Sequence, residues 1–136
     1  MSEYLPLDAV RSFVSSLRVL RGLVIDRVGG AGCVRDIVYM AQKGEIPREA
    51  VLADGVSYTV HGIGCLIRGP EGREVDVDID DGGHEVFNSW RISIYLESLG
   101  GDDKFSRRDL VLACRRLVEM GELESSGAEF FGISKI

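Results

Sequence analysis

The chain has 136 residues, 45% hydrophobic and 28% charged, with a net charge of −6. That is the profile of one globular domain, large enough to bury a core without a structural metal or disulfides. Three cysteines without a Cys-x-x-Cys pair argue against structural zinc and a disulfide scaffold, and the acidic balance argues against non-specific nucleic-acid binding.

Val10, Phe13, Val14, Leu17, Leu20, Val24 and Val28 recur at spacings of three and four, which predicts an amphipathic helix over about 6–28. Pro6 suits its first turn and Gly29-Gly30 its end. A second helix is predicted at about 33–43, with Gly44 as its stop, and Pro47 opens a short helical turn to about Ala53.

The period then changes to two. Val56, Tyr58 and Val60 alternate with Ser57, Thr59 and His61, and after Gly62 the apolar parity flips to Ile63, Cys65 and Ile67. A single strand over about 56–68 with a β-bulge at Gly62 or Gly64 is the expectation. After a turn at Gly69–Gly72 comes the cleanest alternation in the chain, a strand at about 74–80. It places Val75, Val77 and Ile79 toward a core and Asp76, Asp78 and Asp80 away from it.

A third main helix is predicted at about 89–99, capped by Asn88 or Ser89 and stopped by Gly100-Gly101. The fourth, at about 107–120, has the best local signals. Ser106 is a candidate N-cap with Asp109 three residues on, Phe105 and Leu110 occupy staple positions, and Gly121 ends the helix. A hairpin over about 122–134 follows. The class is therefore α+β: a single domain, 1–136, with a small, mainly antiparallel sheet packed with four main helices.

The charge is unevenly spread. Residues 1–60 are balanced, and the whole excess lies in 61–136. The window 71–85 holds seven acids against Arg73 alone. Three aspartates on one strand face repel one another, so stability does not ask for them. Asp76-x-Asp78-x-Asp80 matches the start of an EF-hand loop, but position six is Asp81 rather than Gly and position twelve is Phe87 rather than Glu, so no calcium site is assigned. The row reads better as a surface for a cationic partner, against the plain reading of a solvated sheet face.

Trp90 and Arg91 are residue types enriched in binding hot spots. The plainer reading packs Trp90 onto the sheet and pairs Arg91 with the aspartate row. His61 with Cys65, or His61 and Cys65 with His84, are the available catalytic or metal-ligating sets, and neither has an orienting group at a recognisable spacing. The helix at 107–120 with its hairpin has the outline of half a winged helix, with Arg107, Arg108, Arg115 and Arg116 as phosphate contacts, which the acidic whole opposes.

His61-Gly62-Ile63-Gly64-Cys65, the Asp-x-Asp strand 75–80 and Phe87-Asn88-Ser89-Trp90-Arg91 together resemble a family of small bacterial proteins known only as a domain of unknown function; the resemblance covers about residues 56–99. It implies a bacterial cytosolic protein and transfers no activity. Small acidic chains of this kind are similar in size and charge to immunity proteins of bacterial toxin systems. The reading that follows is a non-enzymatic binding protein that occludes a cognate toxin or other basic protein through Asp76, Asp78, Asp80, Asp81, Glu85, Trp90 and Arg91. No cofactor, metal, membrane or nucleic acid is called for. No secretory signal is expected from Met1–Asp8, which points to the cytoplasm. The alternative is a small metal-dependent or hydrolytic enzyme using His61, Asp78 and His84.

Overall fold

The structure is a computed structural model that describes residues 5–101 and 104–133. Two helices come first, α1 (Leu7–Arg27) and α2 (Val34–Gln42). Five strands follow: β1 (Glu49–Val51), β2 (Ser57–His61), β3 (Gly64–Arg68), β4 (Glu74–Ile79) and β5 (Glu85–Phe87). Then come α3 (Ser89–Ser98), α4 (Arg107–Glu119) and the hairpin β6 (Leu123–Ser125) and β7 (Phe131–Ile133). The strands form one seven-stranded antiparallel sheet in the order β1-β2-β3-β4-β5-β7-β6. The α+β class and the four helices agree with the sequence reading. The last residue of the predicted hairpin, Ser134, lies outside the described residues.

The helices supply one apolar layer and one face of the sheet the other. Val10, Phe13, Leu17, Leu20 and Val24 of α1 are fully buried, as the spacing of three and four requires. From the sheet, Tyr58, Val60, Cys65, Ile67, Val75, Val77, Ile79, Phe87 and Phe131 join the same core. Phe13 meets Phe87 edge-on, with ring centroids 4.9 Å apart. Tyr95 of α3 packs on Phe13, and its hydroxyl hydrogen-bonds Ser12 and Ser16 of α1, each at 2.9 Å. Arg11 of α1 binds Glu122, just beyond α4, through Nε at 2.9 Å and Nη2 at 2.7 Å.

Two local readings are corrected. The span 56–68 is not one bulged strand but two strands joined by a tight hairpin, with His61 opposite Gly64 and only Gly62 and Ile63 between them. Gly62 has φ +52°, the left-handed value that the first position of such a turn favours. A reversal through two residues flips the apolar parity just as a bulge would, which is why the sequence pattern alone did not separate them. The helical turn expected after Pro47 is instead edge strand β1, which pairs Ala50 with Tyr58, followed by a 3-10 turn at Ala53–Gly55.

Helix α3 has a special position. β5 pairs with only Asp78 and Ile79 of β4 and ends at Phe87, leaving the rest of that edge open. Asn88 Oδ1 accepts from Arg91 N–H at 3.3 Å and starts α3 there. At the far end of α3, Ser98 Oγ accepts from the Glu74 backbone N–H at 3.1 Å. The helix thus runs along the open edge of β4 and satisfies a strand donor that would otherwise lack a partner.

Candidate functional site: the Arg91 cluster and the Trp90 surface

In β4 the valines and Ile79 point into the core, and Asp76 and Asp78 point to the opposite face, as expected. That face is not an open row of free carboxylates. The Asp76 side chain is only 7% exposed. Arg91 reaches over the β4 edge from α3, donating from Nη1 to Asp76 Oδ2 at 2.9 Å. The same guanidinium forks onto Asp78, from Nη2 to Oδ1 at 2.8 Å and from Nε to Oδ2 at 3.3 Å. His61 Nε2 meets the other Asp76 oxygen at 2.8 Å. One cation, itself 17% exposed, therefore serves two aspartates, and the imidazole completes Asp76. Burial works against the charge of Arg91, but the Asp78 hydrogen bond and the two carboxylate charges more than offset it and hold its pKa above the ordinary value.

The remaining acids of the window are also mostly engaged. Asp80 accepts from the His84 backbone N–H at 2.9 Å and from Ser126 Oγ at 3.1 Å. The first of these is the main cause of its lowered pKa. Both Glu85 carboxylate oxygens lie 2.8 Å from Arg21 Nε, and Glu74 accepts from Arg68 Nε at 3.0 Å. Asp81 is exposed and makes no ion pair among the described residues. The correction is that Glu74, Asp76, Asp78, Asp80 and Glu85 are engaged internally rather than forming an unneutralised strip, while Glu71, like Asp81, is exposed without an ion pair among the described residues. Sequence reasoning had Arg91 as the partner of the row; it missed His61, Arg21 and Arg68, which come from other elements and carry no local spacing signal.

The catalytic sets do not assemble. Cys65 lies opposite Val60 and faces the core, so it is on the other side of the sheet from His61. Burial pushes its thiol up to about 12, and Cys114 likewise. His61 and Asp78 come together around Gly64, but His84 sits in the turn after β4, with Nδ1 3.3 Å from Asp80. No Ser, Thr or Cys side chain hydrogen-bonds the His61 ring, and no group of three His, Cys, Asp or Glu side chains is arranged to hold a metal ion, both among the described residues.

Trp90 is the only tryptophan of the chain. It follows the cap of α3 and is 65% exposed, so it does not pack the helix onto the sheet. With Ser93, Arg107 and the exposed Phe130 it borders a surface recess of about 390 Å³. The four arginines of the winged-helix reading are partly occupied: Arg107 pairs with Glu129, Arg116 with Glu119 at 3.3 Å, and Arg115 donates to the Ala128 carbonyl at 3.2 Å.

A helix-backed antiparallel sheet with a matched ion cluster on its outer face and a tryptophan beside it defines a small α+β domain. The chain belongs to the family described as domain of unknown function DUF6896, whose model matches residues 6–133. That match extends well beyond the 56–99 segment carrying the sequence motifs. No curated protein and no solved structure is significantly similar to the chain. No helix among the described residues is long and apolar enough to cross a membrane.

Proposed function

We propose that this protein is a non-enzymatic binding module, of the kind represented by bacterial immunity proteins, that occludes a cationic partner such as a cognate toxin in the cytoplasm. The observation that carries the reading is the exposure of Trp90 on the first turn of a helix whose other contacts are anchored. Tryptophan is the residue type whose burial contributes most at protein interfaces. Phe130 and the recess beside it extend the apolar surface, and the net charge of −6 favours a basic partner through its association rate. In this reading Trp90 is the anchor and Asp81 an accessible acid at the rim. Asp76, Asp78, Asp80, Glu85 and Arg91 hold the platform rather than steer the partner directly.

The test is co-expression with the product of the gene neighbouring its own. A partner whose toxicity is suppressed by the chain, and which the purified chain binds, is expected. Trp90→Ala should weaken that binding by about thirtyfold or more. A neighbouring product that is neither toxic nor bound, or binding that Trp90→Ala leaves unchanged, rejects the proposal.

A further inference from the structure

A second cavity, of about 850 Å³, lies between α1, the start of α2, the turn after β4 and the β6–β7 hairpin. Its lining brings together Arg18 and Arg21 of α1, Arg35 of α2, Cys33, His84 and Ser126. Three guanidinium groups at one cavity are unexpected in an acidic protein. Their fixed partners are few. Arg21 gives its Nε to Glu85, and its terminal nitrogens make no hydrogen bond among the described residues. Arg35 approaches its nearest carboxylate, on Asp36, only at 3.9 Å. Arg18 Nε is buried without a hydrogen-bond partner, and the charge of Arg18 acts on the nearby Glu122 carboxylate.

Two further features shape the cavity wall. Cys33, the N-cap residue of α2, lines the cavity; its own side chain makes no cap bond, and the carboxylate of Asp36 in the first turn accepts from the Gly32 and Cys33 backbone N–H groups. Across the cavity, Gly83 has φ +81°, and a Cβ there would come within 3.0 Å of Arg35 Cδ and Nη1. At that positive φ any other residue would be strained, and its Cβ would press on the Arg35 side chain. Glu85 and Glu124 are the acids of the lining, and the first is already bound to Arg21.

We propose that this cavity is a binding site for a phosphate-class oxyanion, free or carried on a small molecule, held by Arg18, Arg21 and Arg35. The site is built from different residues than the Trp90 surface, so the two proposals stand or fall separately. Isothermal titration of the full chain with inorganic phosphate, pyrophosphate and AMP, near neutral pH and at constant ionic strength, tests it. Saturable binding of at least one probe is expected. Saturation by phosphate alone identifies the free anion, and a preference for AMP identifies a phosphorylated small molecule. Arg35→Gln should weaken the binding about tenfold, the scale of one charge-assisted hydrogen bond, and Arg108→Gln on α4 should not change it. Arg18→Gln provides a second measurement where it folds. Absence of saturable binding for all three probes, or a loss under about threefold in Arg35→Gln, overturns the proposal.

Discussion

His61 and Asp76 meet at 2.8 Å across the middle strand of the β2–β3–β4 unit, over a position that has no side chain. That position is Gly64, which lies opposite His61 on one side and Asp78 on the other. A Cβ on Gly64 would stand 2.9 Å from both His61 Cε1 and Asp78 Oδ1, and 3.0 Å from the Val77 carbonyl. The glycine is thus a gap through which the imidazole reaches the carboxylates.

Filling the gap should therefore be felt at once. Gly64→Ala forces the imidazole or Asp78 aside and presses on backbone that cannot yield. A destabilisation of about 1–3 kcal/mol is expected, read as a lower urea midpoint.

Arg91 is the only cation within hydrogen-bond reach of Asp78 among the described residues and shares Asp76 with His61. Arg91→Met leaves two poorly exposed carboxylates without it, and a loss of about 3 kcal/mol is expected in urea unfolding. Adding Asp76→Asn and Asp78→Asn to that variant should recover part of the loss, because the penalty belongs to the stranded charge more than to the missing bond.

The thiols should separate by reactivity. Cys65 and Cys114 are buried, with pKa values pushed up to about 12, whereas Cys33 is partly exposed. A thiol reagent at mildly alkaline pH should modify Cys33 alone in the native protein and all three cysteines in denaturant. Rapid native modification of Cys65 would contradict its place in the core.

Acid should destabilise the fold through identifiable carboxyls. Glu122 is held below the ordinary glutamate value of 4.5 by its hydrogen bond from Arg11, and Asp80 below the ordinary aspartate value of 3.8 by the His84 N–H. A depressed carboxyl stabilises the native state above its unfolded pKa, and that contribution is lost as pH falls through the native one. The urea midpoint should hold steady at neutral pH and fall below about pH 4.5, less steeply in Glu122→Gln. An unchanged acid slope in that variant would remove Glu122 from the account.

What the sequence announced and what it hid divide along a physical line. Features written in consecutive residues were legible: the α1 stripe, the Asn88 and Ser106 caps, which accept from Arg91 N–H and Asp109 N–H, and the opposite faces of β4. The three-residue strands β1 and β5 were not, because their pairing comes from neighbours rather than from their own pattern. The hairpin at Gly62-Ile63 was ambiguous, since reversal and bulge shift parity alike. The cluster was half legible, through the opposite signs of Arg91 and the aspartates. Its other half, His61, depends on register across β3. The arginine cavity collects residues from Arg18 to Ile133, and no local window contains it.

Helix α3 is fastened at both ends, by Arg91 to two aspartates near its start and by Ser98 to the Glu74 N–H at its finish. The backbone that carries Trp90 is therefore held in place on the sheet edge. In the proposed binding role a visiting surface would have little α3 backbone motion to quench, and more of the ordering cost of association would fall on the partner.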